Sequence, residues 1–151
     1  RLYMEIEKGD TDYERILLYI IDNVNDYESQ IGRKSTPLER FRLLKHLIED
    51  LASNNKLNLM IFDGEVMYIH SNMKDSLYYL MNEEGILIAT TPVNDNENWK
   101  PVEINKLFCL QDGKILHESE EHHNEYIQTE EQLAYINEYI ASLGERNGSY
   151  N

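Results

Sequence analysis

The chain predicts an α+β fold, with helices packed on a largely antiparallel sheet. Three features predict it. Two segments near the N-terminus carry helix-start residues followed by apolar positions at helical spacing. The middle of the chain then changes to period-two runs joined by Asp-Gly turns, and a last helical pattern follows the final hairpin.

Taken in order, Leu2–Ile6 alternates as a short strand, with Leu2, Met4 and Ile6 on one face. Thr11 and Glu14 have capping-box spacing, and Ile16, Leu17, Ile20, Ile21 and Val24 continue as a helical stripe. A loop is expected from Asn25 to Ser35. Thr36, Pro37 and Glu39 repeat the start signal, and Phe41, Leu44, Ile48 and Leu51 form the buried stripe of a second helix. From Leu57 onward about five strands are expected by period. Asp63-Gly64 and Asp112-Gly113 read as tight hairpin turns, and Asn82 to Gly85 joins two further strands. Thr129 caps a last helix, for which Gly144 is the expected stop. The helices would cover one sheet face, with the other left open or covered only by the last helix. An open face predicts association, so a homo-oligomer is among the expected states.

Composition narrows the class. The 151 residues suffice for one domain with its own core, and 41% hydrophobic content makes disorder an unneeded explanation. A formal charge of −14 would repel a phosphate backbone or an anionic lipid surface, so neither nucleic acid nor membrane is an expected partner. The single cysteine excludes an internal disulfide and fits a reducing, cytoplasmic setting. No signal peptide or apolar span is visible. The opening has no initiator Met and enters a strand at once, which predicts a segment of something longer.

Few residues invite chemistry. Cys109 sits in an alternating strand pattern with no base or helix start beside it, so it reads as a core thiol and not as a nucleophile. His117, His122 and His123 crowd with glutamates in "HESEEHH" at a spacing that fits no closed metal site, so a solvated connector is expected and no metal. His46 and His70 are isolated in sequence. Asp12, at the first turn after Thr11, has two open readings: it complements the helix dipole, or it stands ready to bind a substrate ammonium. No phosphate loop or catalytic triad context is present, and no cofactor is expected.

Two stretches together carry a resemblance. "GDTDYERILLYII" resembles the Thr/Ser-Asp-Thr/Ser-Glu segment of class II glutamine amidotransferases. "NLMIFDGEVMYIHSN", "LYYL", "GILIATTPV" and "NWKPVEINKLFCLQDGKI" resemble, in order, the second half of stand-alone members of that class. The matches run from about Thr11 to Ile115, with Ala89, Thr90, Pro92 and Trp99 falling on the pattern in which a strand ends at a proline and a Trp loop leads to the closing hairpin. Physically, Pro92 would stop the strand and the Trp99 indole would pin the crossover against the sheet.

The resemblance implies a four-layer αββα fold of the N-terminal nucleophile hydrolases. It implies glutamine or a γ-glutamyl amide as substrate, attack by an N-terminal Cys through a thioester, and ammonia release. It places Asp12 at the position that holds the substrate α-ammonium. The departures are as informative. Arg1 opens the chain, Thr11 and Cys109 are internal, and Tyr13 replaces the small hydroxyl residue that follows the Asp in the family. On this reading residues 1–128 are the C-terminal half of such a domain, 129–144 a terminal helix and 145–151 a frayed tail. The missing N-terminal half would bring the nucleophile, and the chain alone should be inactive, with no catalytic residue of its own. The competing expectation is a non-catalytic acidic binding domain of the same fold, with a closed core and Asp12 used only as a cap. A metal module at His117–His123 is the weakest alternative.

Overall fold

The computed structural model describes the backbone at residues 3–4 and 11–148, and within these the side chains at 13–131, 134, 135 and 137–144. The elements in chain order are β1 (Tyr3–Met4), α1 (Thr11–Ile31), α2 (Pro37–Ala52), β2 (Leu59–Phe62), β3 (Met67–Ser71), β4 (Tyr78–Asn82), β5 (Gly85–Ala89), β6 (Lys100–Pro101), β7 (Lys106–Gln111), β8 (Lys114–Glu118) and α3 (Glu130–Gly148). The α+β prediction holds. All pairings are antiparallel.

The strands divide into two sheets, which period alone does not reveal. A five-stranded sheet has the order β1-β2-β3-β7-β8, and a three-stranded sheet has the order β5-β4-β6. Alternation assigns the faces of the larger sheet. Leu59, Ile61, Tyr68, Leu107 and Cys109 point to α1 and α2, where Ile20, Val24, Phe41, Leu44 and Ile48 complete the main core. Each such fully buried aliphatic side chain stabilises the fold by roughly 1.5–3 kcal/mol. Ile69, Met67, Phe108 and Leu110 point the other way and meet Leu77, Tyr79, Ile88 and Val102 of the smaller sheet and its flanks. The face expected to lie open is therefore covered in part by strands of this same chain. The layers thus run helices, sheet and sheet.

Several element boundaries differ from expectation. Helix α1 does not stop near Val24 but runs on to Ile31, because no Gly or Pro interrupts 25–31 and the stripe Ile20, Val24, Tyr27, Ile31 keeps its spacing. Gly32 ends it at φ +71, with its N–H on the Glu28 carbonyl at 3.0 Å. The Thr36 capping box is present as predicted, with Glu39 N–H donating to Thr36 Oγ1 at 3.2 Å and Thr36 N–H to Glu39 Oε1 at 3.0 Å. The box at Thr11 and the strand positions 2, 5 and 6 lie outside the described residues. Helix α3 continues through Gly144 to Gly148, and its described side chains are all at least partly exposed, with Tyr135, Tyr139 and Ile140 prominent. No helix among the described residues is long and apolar enough to cross a membrane.

The two Asp-Gly hairpins are not alike. Asp112 and Gly113 have φ of +51 and +72, the two-residue turn expected of that dipeptide. The β2–β3 loop instead spans Asp63 to Val66, closed by Asp63 N–H to the Val66 carbonyl at 3.2 Å. There the Asp63 carboxylate accepts from the Glu65 and Val66 N–H groups at 2.9 and 2.8 Å. The Trp99 indole N–H donates to Asn94 Oδ1 at 2.8 Å, which ties the 94–99 loop to itself.

Candidate functional site

Asp12 lies in the first turn of α1, directly after the connection from the edge strand β1. Its side-chain surroundings lie outside the described residues. Elsewhere the described residues offer two features able to do chemistry or bind: a cleft between the sheets and a set of buried polar groups under α2.

The cleft lies between the two sheets. Ile69, Phe108 and Leu110 form one wall and Tyr79, Ile86 and Ile88 the other, enclosing about 220 Å³. At its mouth Lys106 Nζ holds Glu103 at 3.1 Å and Glu118 at 2.9 Å. The hydrogen bond that Lys106 donates to Glu118, and then the one to Glu103, raise the lysine pKa, so Lys106 stays an ammonium and is no candidate amine nucleophile. Beside the cleft the hairpin turns of the two sheets touch: a Cβ on Gly113 would lie 3.1 Å from Gly85 Cα. The lining is suited to an apolar body and carries no reactive group.

Under α2, charge is buried in pairs. Arg40 Nε meets Asp63 Oδ2 at 2.6 Å, Tyr68 Oη donates to the same oxygen at 2.8 Å, and the guanidinium also donates to the Ser35 carbonyl. Burial pushes the Asp63 carboxyl up, yet the Val66 and Glu65 N–H groups, Tyr68 and Arg40 together hold it below its ordinary value. Burial raises the pKa of the Tyr68 phenol, the hydrogen bond to Asp63 adds to it, and Arg40 opposes it. These groups are committed to one another and not to a ligand. Cys109 is fully buried on the same face, and burial pushes its thiol up to about 11. A thiol so placed has almost no thiolate at neutral pH and no access, so the core role expected for it stands.

The histidines are arranged differently from the expectation. His70, isolated in sequence, is completely buried, and His122, placed in a solvated connector, reaches it: the two Nε2 atoms are 2.8 Å apart. His117 lies against the Phe41 ring at 5.5 Å, while His123 is exposed near Glu121. The "HESEEHH" run is thus split among separate environments, and no group of three or more His, Cys, Asp or Glu among the described residues is placed to hold a metal. The one signal that could have marked His70 is its position within a strand flanked by buried residues, since a histidine there needs a polar partner. Nothing local points to residue 122.

No family model and no curated protein matches the chain. Among solved structures the chain is similar to the crystal structure of a predicted glutamine amidotransferase from Pseudomonas aeruginosa, with a TM-score of 0.60 and 16% identity. The likeness covers 78% of this chain and 58% of that one, so the chain spans little more than half the length of the structure it matches. At this identity the likeness establishes a shared fold.

Proposed function

We propose that this chain is the C-terminal half of a class II glutamine amidotransferase-like domain of αββα type, and that it contributes the substrate-ammonium site rather than the nucleophile. The observation that carries the reading is the fold likeness over 78% of the chain, which agrees with the order of the sequence motifs from Thr11 to Ile115. Asp12 would hold the α-ammonium of glutamine or of a γ-glutamyl amide, from a position just past a strand end. The sole cysteine is unfit for attack, so thioester chemistry would need a nucleophile supplied from outside these 151 residues.

The test is intact mass and N-terminal sequencing of the native protein, with ammonia release from L-glutamine measured on the same sample. A longer native chain with an N-terminal Cys and glutaminase activity is expected. In that protein Asp12→Asn should raise KM for glutamine about 10- to 100-fold, the worth of a charge-assisted hydrogen bond of roughly 1.5–3 kcal/mol. A native chain without activity or glutamine binding would overturn the proposal and leave the non-catalytic binding domain. The inert thiol is the observation that favours that second reading.

A further inference from the structure

We propose that His70 and His122 form a proton-sensitive latch, which fastens the segment 119–126 across the five-stranded sheet and releases it when a ring is protonated. The segment leads from β8 to α3 and is sewn down along its length. Ser119 N–H donates to the Leu107 carbonyl at 2.9 Å, His122 N–H to that of Asn105 at 3.0 Å, and Tyr126 N–H to that of Asn72 at 2.7 Å. The Asn124 amide donates to the Glu49 carbonyl of α2 at 3.0 Å. A surface ion pair, Lys74 Nζ to Glu125 Oε1 at 3.6 Å, adds to the seam, and the histidine pair is the link through which an imidazole can gain a proton.

Backbone groups at both ends settle where the protons sit. The Leu57 carbonyl, 2.7 Å from His70 Nδ1, can only accept, so His70 carries its proton on Nδ1 and its Nε2 is bare. His122 Nε2, 2.8 Å away, must therefore donate. The Asn124 backbone N–H, 3.0 Å from His122 Nδ1, can only donate, so that nitrogen is bare as well. Every ring nitrogen is satisfied with both histidines neutral. A third proton has no free place. On His70 Nε2 it would face the His122 donor, and on His122 Nδ1 it would face the Asn124 N–H.

The surroundings decide which ring yields first. His70 is the deeper of the two, and burial, with the neighbouring His122 second, lowers its pKa to about 3. His122 faces Glu49 from α2, with Glu121 and His123 on its own segment. Burial lowers its pKa, and the two carboxylates recover only part of that. The first proton thus goes to His122 Nδ1 and displaces Asn124. His123, at φ +63 between them, then loses the bond that holds its left-handed conformation. Because both rings bind protons less readily when latched than when free, the latch is fully closed above the ordinary histidine pKa near 6.5. Its closure weakens progressively as pH falls below that value toward the lowered pKa values of the latched rings.

The experiment is imidazole 15N NMR on the 151-residue chain at pH 7.5, with amide hydrogen-exchange protection factors at pH 7.5 and 5.0. The expected spectrum shows neutral rings, His70 protonated on Nδ1 and His122 on Nε2. At pH 5.0 the protection of the Asn124 and Tyr126 amides should fall by about 30-fold or more, the ratio for one ring titrating from near 6.5, and at both pH values it should stay below that of α2 interior amides, which open only with the whole chain. In His122→Gln, whose side-chain amide can still donate to His70 but does not titrate, that fall should shrink. A charged ring or the opposite tautomers at pH 7.5 would overturn the latch, as would segment protection that tracks α2 at both pH values. The NMR on the unaltered chain decides even where the variant does not fold.

Discussion

Arg40 reaches from α2 into a site where Asp63, Tyr68 and the Ser35 carbonyl surround its guanidinium, and the two charged side chains retain only 10% and 3% of their exposure. A buried pair adds little net stability over apolar residues, but removing one partner strands the other charge without water. Arg40→Ala should therefore lower the unfolding free energy by roughly 3–5 kcal/mol, read from the urea midpoint. A loss below about 1 kcal/mol, the range of exposed ion pairs, would show that Asp63 finds water when the guanidinium is gone. The contrast is Arg33–Glu39, an ion pair on the surface whose arginine is 56% exposed, where the same substitution should scarcely register.

Among the elements, the hairpins show how one dipeptide serves two purposes. Asp112-Gly113 makes a two-residue turn with both residues at positive φ, whereas Asp63-Gly64 sits in a longer loop because the Asp63 carboxylate is occupied by Arg40 and by the loop's own N–H groups. Gly113 also touches the other sheet, 3.1 Å from Gly85 Cα for an added Cβ, while a Cβ at Gly64 would meet open space. Both positions carry positive φ, so alanine costs about 1–2 kcal/mol of backbone strain at each. Gly113→Ala should cost more than Gly64→Ala, and the difference measures how tightly the two sheets are held at that end. Equal midpoints in urea for the two variants would show that the β4–β5 turn gives way freely.

For the molecule as a whole, the pH dependence of stability follows from which groups folding makes less willing to bind protons. Both histidine pKa values are lowered, so their contribution is complete above about 6.5 and is lost as pH falls. At pH 5 His70 alone accounts for about 2 kcal/mol, from 1.5 pH units at 1.36 kcal/mol each. Asp63, also lowered, adds a further loss only below the ordinary carboxylate range. Repulsion within a chain of net charge −14 acts in the other sense, since protonating exposed carboxylates relieves it, but that begins only near pH 5. The melting temperature should therefore begin to fall near pH 6.5, before any exposed carboxylate titrates. A flat profile between pH 7 and 5.5 would mean that the histidines keep their ordinary affinity for protons in the folded chain.

Features that depend on neighbours a few residues apart can be read from the order of residues: the α+β class, the Thr36 start of α2, the stripes of α1 and α2, the tight turn at Asp112-Gly113 and the core placement of Cys109. These are legible because capping, periodicity and turn chemistry act within one or two turns of chain. Where a local stop signal was assumed, at Asn25 and at Gly144, the helices ran on, since nothing there costs more than continued hydrogen bonding gains. Asp12 is legible as a residue at a helix start, and its proposed role rests on resemblance. Tertiary structure alone decided the split into two sheets, the cleft between them, the Arg40–Asp63 pair and the meeting of His70 with His122, 52 residues away. The physical reason is common to all four. Strand order and buried polar partnership depend on which distant surfaces come together, and a period-two pattern marks a face without naming what it faces.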